Sequence, residues 1–222
     1  MSIKSTIRKS FCKGFTLFTA AVLGCTAMLT GCGKGGDSSS QADGKNTSDD
    51  GSIHKELTAT ELARLLGNGT NLGNTMEAYG HKSYSADTDP ESFETLWGQP
   101  VTTEEMIKGM KASGFDSLRV PVAWTNAMEY EKGDYTINEA YLDRVEEIIN
   151  YALNNDMYVI INDHWDGSWW GMFGSSEQSD VDKAFEMYKS MWTQIANRYK
   201  KYSDRLIRSE ERRVGKECRS RW

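Results

Sequence analysis

The chain has 222 residues, of which 38% are apolar and 11% aromatic, and its formal net charge is −6. This composition is too rich in tryptophan and tyrosine for a chain that is disordered throughout, and the length is sufficient for one sizeable domain. Positions 33–207 hold 16 Lys and Arg residues against 29 Asp and Glu residues. Such an acidic body lacks the clustered positive charge that a phosphate backbone requires, which excludes nucleic acid as a partner.

The N-terminal segment has the pattern of a secretory signal. Basic residues precede the apolar run "GFTLFTAAVLGCTAMLTGC", which is too short and too interrupted for a membrane-spanning helix. Its last four residues resemble a bacterial lipobox, which implies cleavage before Cys32 and attachment of lipid to the Cys32 sulfur. The alternative is an ordinary signal peptide with an incidental cysteine. We therefore expect a lipoprotein signal peptide over residues 1–31 and a location on the extracellular face of the bacterial membrane.

A flexible tether is predicted next, over residues 32–54, because the segment is rich in Gly, Ser and Asp. Cys12 and Cys25 would leave with the signal peptide, and Cys218 is alone near the C-terminus. We therefore expect no disulfide framework, no cysteine metal site and no cofactor.

Residues 55–207 alternate between helix and strand signals. In chain order, the predicted elements are a capped helix in TATELARLLG, a brief strand in GTNLGN, a helix in TTEEMIKGMKASGF, a strand in DSLRVPV that ends at Pro121, a helix in INEAYLDRVEEIINYALNNDM, a buried strand in YVIIND, a long helix in SDVDKAFEMYKSMWTQIANRYKKY and the start of a strand in DRLI. Since no hairpin signal occurs, this order favours a parallel α/β sheet. Helical spacing on the long helix predicts five core residues: Phe185, Tyr188, Met191, Trp192 and Ile195.

Two parallel architectures are open, a doubly wound sheet and a closed eight-stranded barrel. No Gly-rich phosphate loop leads directly from a strand into a helix, which argues against the doubly wound sheet. Asn71, Arg119, Asn162 and His164 all lie at or just beyond the C-terminal ends of predicted strands, where a barrel enzyme places its chemistry. We therefore predict about three and a half βα units, the N-terminal part of a (β/α)8 TIM barrel.

Three segments, "GTNLGNTMEAYG", "GFDSLRVPVAW" and "YVIINDHWDGSWW", together resemble glycoside hydrolase family 5, the cellulase family, over residues 62–207. The resemblance implies a retaining hydrolase of β-linked glucan that acts in polysaccharide degradation. It also implies active-site roles for Arg119 and His164, and it places two catalytic glutamates after the fourth and seventh strands. One departure affects the subgroup, because His164 is followed by Trp165 where the family often has a second histidine.

The chemistry of these two residue types supports the assignment. Arg119 is a fixed positive charge that could hold a carboxylate ionised, the alternative being a surface ion pair. His164 shares its side of the strand with Asn162, so it is expected to face the barrel interior and to bind a sugar hydroxyl or the nucleophile. The other two histidines have no ligand spacing with His164, which argues against a metal site.

Tryptophans after the predicted strands are candidate sugar platforms. Trp169 and Trp170 lie in a Gly-flanked loop with no predicted helix or strand to bury them, and exposed indole faces stack on pyranose rings. Packing within the loop is the alternative. Trp124 and Trp97 are further candidates, and Asn71 completes the predicted substrate-binding set.

The sequence after Ile207 does not continue the predicted strand. The run "RSEERRVGKECRSRW" at 208–222 matches the translation of a common sequencing-library adapter, the alternative being a genuine basic tail. With both catalytic glutamates beyond Ile207, the acids left near strand ends are Glu77, Asp163 and Asp166, and no feature of the sequence brings them to catalytic separation. We therefore expect the 222 residues to be inactive. The alternative function is a lipid-anchored carbohydrate-binding protein without catalysis.

Overall fold

The computed structural model describes residues 48–164, 166 and 169–210, and one parallel sheet lies at its centre. The four strands have the same order in the sheet as in the chain. They are β1 (Gly69–Asn71), β2 (Ser117–Val122), β3 (Tyr158–Asp163) and β4 (Leu206–Glu210). A helix occurs in each connection, so the predicted first strands of a (β/α)8 barrel are confirmed.

Five α-helices accompany the sheet in the described part of the chain. They are α1 (Ala59–Leu65), α2 (Pro90–Thr95), α3 (Glu104–Ala112), α4 (Glu139–Asn154) and α5 (Gln178–Tyr199). Four of them were predicted, namely α1, α3, α4 and α5, and the starts of the first three follow from capping. The Thr58 hydroxyl caps α1 in a capping box with Glu61, Thr103 caps α3, and Asn138 caps α4. The α2 helix was missed because six residues are too few to show a period.

Strand β2 extends one residue beyond its predicted end. It was expected to end at Pro121 but continues to Val122. Proline has no backbone N–H to donate. Pro121 lies two residues after Arg119, so its backbone faces the same side as that of Arg119, whose carbonyl accepts the N–H of Leu72 directly after β1. Because β1 ends at Asn71, opposite Arg119, no strand pairs with that side of Pro121 and the missing donor costs little.

The two faces of the sheet differ in character. Leu118, Val120 and Val122 are fully buried on the helix-facing side of β2. Arg119 alternates with them and therefore points to the other side, the interior of a closed barrel. In the same way, His164 follows β3 with the parity of Asn162, and its ring contacts the Arg119 guanidinium, so the two side chains lie on the same side of the sheet.

The apolar face of α5 was only partly predicted. Its fully buried side chains include Met191 and Ile195, as expected, but Phe185 is 60% exposed. The prediction is wrong for Phe185, whose ring makes an edge-to-face contact with Phe173 of the 3₁₀ helix Trp169–Gly174 but keeps most of its surface exposed. Tyr188 and Trp192 are partly buried at this contact.

The N-terminal and C-terminal ends of the described region differ from the predicted boundaries. Residues 48–54 were expected to belong to the flexible tether, yet Ser48 bonds to Leu153 and Asn154, and Asp49 bonds to Ser203. The predicted junction after Ile207 falls inside β4, whose pairing with β3 continues to Glu210. The signal peptide, Cys32, Trp165 and residues 211–222 lie outside the described residues. Among the described helices, none is long and apolar enough to span a membrane.

Candidate active site

Three of the predicted site residues meet on the interior side of the sheet. The Arg119 guanidinium donates through Nη1 to the Asn71 side-chain oxygen at 3.1 Å and through Nη2 to His164 Nδ1 at 3.2 Å. These residues come from β1, β2 and the end of β3, three neighbouring strands. The carboxyl edge of the sheet thus brings together side chains that are 45 and 48 positions apart in the chain.

The hydrogen bond from Arg119 determines which ring nitrogen of His164 carries the hydrogen. A guanidinium has only donors, so Nδ1 of His164 accepts and its ring proton resides on Nε2. Partial burial lowers the pKa of Arg119, and the negative charge of Glu77 acts in the opposite direction. Arginine nevertheless stays charged at physiological pH. The site therefore combines a permanent positive charge with an imidazole N–H donor.

Glu77 shapes the loop after β1. Its carboxylate, 5% exposed, accepts the backbone N–H of Asn74 at 2.6 Å and of Thr75 at 2.9 Å. Asn74 has a positive φ of 62°, a conformation that asparagine tolerates better than most residues. The Tyr141 hydroxyl, from α4, donates to the Met76 carbonyl in the same loop at 2.7 Å. Glu77 therefore mainly stabilises the conformation of this loop through its hydrogen bonds, and its negative charge also acts on Arg119.

Two of the acids near strand ends, Asp163 and Asp166, are both 0% exposed. Asp163 has the parity of Val159 and Ile161, so it lies on the helix-facing side of β3. Asp166 accepts the backbone N–H of Thr125 at 2.9 and 3.2 Å, which links the loop after β3 to the loop after β2. Because Asp163 points to the side of the sheet opposite Arg119, it does not belong to a catalytic carboxyl pair at this site.

The predicted sugar platforms have different exposures. Trp124 is fully buried beside Tyr141, and Trp169 is 3% exposed and stacks on Trp170 with ring centroids 4.4 Å apart. The expectation that no helix could bury the loop is wrong, because both Trp169 and Trp170 belong to a 3₁₀ helix. The buried side chains of Trp124 and Trp169 agree with packing inside the protein, which was the alternative to a sugar platform for Trp169. Trp170, partly buried, and Trp97, 43% exposed, keep accessible surface, and their role in binding sugar stays a prediction.

A pocket of about 520 Å³ lies between the loops that follow β1 and β2. The sequence does not indicate this pocket, because most of its lining residues lie in loops without strand or helix periodicity. Its aromatic lining residues are Tyr79, Tyr84, Phe93 and Tyr130. Two acidic and two lysine side chains also line it, among them the ion pair of Glu129 and Lys132 at 2.7 Å. Aromatic and polar groups of this kind suit a carbohydrate.

No cluster of three or more His, Cys, Asp and Glu side chains suited to a metal ion occurs within residues 48–164, 166 and 169–210.

Curated relatives are endoglucanases. The chain is 40% identical to endoglucanase A of Clostridium longisporum over 150 residues, which cover 68% of this chain and 28% of that protein. It is 38% identical to a xyloglucan-specific endo-beta-1,4-glucanase of Bacteroides ovatus over 156 residues, 69% of this chain and 29% of that protein. The chain thus spans about a third or less of the length of these relatives.

Solved structures give the same result. A GH5-4 broad specificity endoglucanase from Ruminococcus champanellensis with bound cellotriose superposes with a TM-score of 0.63 at 36% identity, covering 72% of this chain and 46% of that one. The corresponding enzyme from Clostridium longisporum has a TM-score of 0.62 at 36% identity, with coverages of 69% and 42%. The family model Cellulase (glycosyl hydrolase family 5) matches residues 79–208, more than half of the chain. With Asn71, Arg119 and His164 converging from neighbouring parallel strands, this chain belongs to glycosyl hydrolase family 5.

Proposed function

We propose that this chain is the first part of a retaining endo-β-1,4-glucanase that cleaves β-linked glucan. The observation that carries the proposal is the hydrogen-bonded group of Asn71, Arg119 and His164 at the carboxyl edge of the sheet. In barrel enzymes this edge carries the reacting groups. Membership in the cellulase family supports the reaction type.

In a retaining mechanism, two carboxyl groups about 5–5.5 Å apart act as nucleophile and as acid/base. The family resemblance places them after the fourth and seventh strands, beyond the described β4. Arg119 would hold the nucleophile ionised and oriented, because a charged guanidinium favours the carboxylate form. His164 would donate its Nε2 hydrogen to a sugar hydroxyl or to the nucleophile. Asn71 accepts from Arg119 and so orients the guanidinium.

The substrate that best fits this proposal is a β-glucan or its oligosaccharides. Two related structures contain cellotriose. In this chain, the pocket between the loops after β1 and β2 and the exposed faces of Trp97 and Trp170 offer aromatic surface for sugar rings. We also propose attachment to the outer face of the bacterial membrane through lipid on Cys32.

The experiment compares the purified 222-residue chain with a longer form that continues β4 into the remaining barrel. We expect the longer form to hydrolyse a soluble β-glucan with retention of the anomeric configuration. The 222 residues alone should show no hydrolysis, because they lack the two catalytic glutamates.

The control variants are made in the longer form. Arg119→Ala should lower kcat by about 10²–10³, as loss of a preorganised charged donor does, whereas Glu186→Gln on the exposed face of α5 should have no effect. Hydrolysis by the 222-residue chain, or an inverted product from the longer form, would contradict the proposal.

A further inference from the structure

Residues 48–54 form a strap along the loop that precedes β4, and this loop holds the strap at two ends. At the first end, the Asp49 carboxylate accepts the backbone N–H of Ser203 at 2.8 Å and the Ser203 hydroxyl at 2.6 Å. At the second end, the His54 backbone N–H donates to the Asp204 carboxylate at 3.0 Å. The two attachments therefore reach neighbouring residues of one loop.

The attachment at His54 also involves its imidazole ring. Nδ1 of His54 lies 3.0 and 3.1 Å from the two carboxylate oxygens of Asp204. Because an ionised carboxylate only accepts hydrogen bonds, Nδ1 carries a hydrogen in this contact. The side chain of His54 is 48% exposed and that of Asp204 is 18% exposed, so protons from solvent reach the pair.

Gly51 separates the two attachments and passes very close to the loop. It has a positive φ of 71°, and a Cβ atom at this position would lie 2.7 Å from the Lys201 carbonyl oxygen. Only glycine meets both requirements without strain. The backbone is thus held by Asp49 before Gly51 and by His54 after it.

The charged groups that act on His54 are acidic. They are Asp204 in the loop before β4 and Asp50 and Glu56 in its own segment. The two cations of the loop are bonded elsewhere, since Lys201 contacts Glu146 at 2.6 Å and Arg205 donates to the Leu153 carbonyl at 3.0 Å. The surroundings of His54 therefore favour its positively charged form.

The two partners shift each other's titration in opposite directions. The hydrogen bond to Asp204 raises the pKa of His54 above its ordinary value of 6.5, and the charge of Asp204 adds to this effect. Burial acts to raise the pKa of Asp204, but the hydrogen bonds from His54 lower it below 3.8. The attraction is therefore complete between these two ordinary values. It is lost as pH rises through the raised pKa of His54 or falls through the lowered pKa of Asp204.

We propose that the strap is pH-sensitive: His54 and Asp204 hold its second end on the domain in weakly acidic solution, and this end opens more often once the imidazole is neutral. A neutral ring can keep its hydrogen bond, but a bond without the charge is weaker. The first end contains no histidine and stays attached. The strap lies at the edge where the strands begin, so this behaviour does not depend on the proposed function.

The first measurement is a proton NMR titration of the His54 ring in the full 222-residue chain. We expect a pKa above 6.5 in the wild type. In Asp204→Asn, whose amide oxygen still accepts the His54 backbone N–H, the pKa should return toward 6.5. Asp156→Asn, a matched change of an aspartate that is 89% exposed, should leave the pKa raised. An ordinary pKa in the wild type, or an unchanged one in Asp204→Asn, overturns the ion pair.

The second measurement is amide hydrogen exchange at His54 and at Asp204, whose N–H is bonded to the Ser52 carbonyl at 3.2 Å. Corrected for the intrinsic pH dependence, protection in the wild type should fall about two- to fivefold between about pH 5.5 and about pH 8, as expected for a partly exposed ion pair. In His54→Asn, whose amide can donate in place of Nδ1, protection should not vary over this range. The Ser203 amide, bonded to Asp49, should stay constant in both proteins.

Two further variants separate the pH effect from displacement of the strap. Gly51→Ala should lose protection at His54 at every pH, because the added Cβ collides with the Lys201 carbonyl. His81→Asn removes another histidine and should keep the pH dependence of the wild type. Protection at His54 that is independent of pH in the wild type, or an equal loss at Ser203, overturns the pH-sensitive attachment.

Discussion

Aromatic residues of similar size have opposite environments in the loop after β3 and in α5. Trp169 is 3% exposed and packs against Trp170 and Phe173, whereas Phe185 is 60% exposed and touches Phe173 only edge-on. The contribution of a side chain to stability follows the apolar area it removes from water. The two residues should therefore respond very differently to truncation.

We expect Trp169→Ala to lower the free energy of unfolding by about 3–5 kcal/mol, since it opens a cavity beneath Trp170. Phe185→Ala, the matched control on the same aromatic cluster, should cost less than about 1 kcal/mol. Chemical denaturation of the 222-residue chain measures both values. Equal losses in the two variants would show that Trp169 is not packed as described.

The core of the site was predictable because it depends on strand ends. Asn71 ends β1, Arg119 lies within β2 directly beside it, and His164 follows β3, so the parallel strands bring these three positions together. The hydrogen bonds between Thr125 and Asp166 were not predictable, since they depend on the conformations of two loops. The burial of Trp124 and Trp169 was missed for the same reason, because short 3₁₀ helices have no sequence period.

Among the elements, α2 is attached to α4 by a buried ion pair. Arg144 of α4 donates through Nε to Glu94 of α2 at 2.8 Å and through Nη2 to the Thr102 carbonyl at 2.7 Å. The Glu94 side chain is 0% exposed, and Arg144 also bonds Glu147 at the surface. The bonds to Glu94 and Glu147 outweigh the effect of burial and raise the pKa of Arg144 further. The guanidinium of Arg144 thus holds the short helix α2 against α4, although six residues are too few to show an apolar period.

Glu94→Gln should destabilise the protein by about 3 kcal/mol, because it leaves the Arg144 charge buried without its anionic partner. Glu147→Gln is the control, since Glu147 contacts the same guanidinium but its side chain is 45% exposed. That change should cost less than about 1 kcal/mol. Thermal denaturation of the two variants tests the difference, and a larger loss for Glu147→Gln would contradict the role of Glu94.

The longer elements of the fold were predictable, and the shorter ones were not. Helices α4 and α5, with 16 and 22 residues, show clear apolar periods, and β2 and β3 are rich in branched apolar residues. Helix α2 and the docked residues 48–54 have no such pattern, because they are fixed by single side chains such as Arg144 and Asp49. Local sequence therefore determines the sheet and its main helices, while tertiary contacts determine the rest.

For the molecule as a whole, the point where the tether joins the domain matters. Ser48 bonds to Leu153 and Asn154, which precede β3, and Asp49 bonds to Ser203, which precedes β4. The chain therefore enters the domain at the edge where the strands begin, opposite the edge that carries Arg119.

The predicted lipid anchor on Cys32 can be tested by detergent phase partitioning of the protein expressed in a bacterium. The wild type should partition into the detergent phase, because acyl chains on Cys32 add about 0.8 kcal/mol of membrane affinity per buried CH₂ group. Cys32→Ala should move the protein to the aqueous phase or block its processing. Cys25→Ala, a matched change within the predicted signal peptide, should leave partitioning unchanged, since that residue is removed with the signal. If Cys32→Ala and the wild type partition alike, the lipid anchor is wrong.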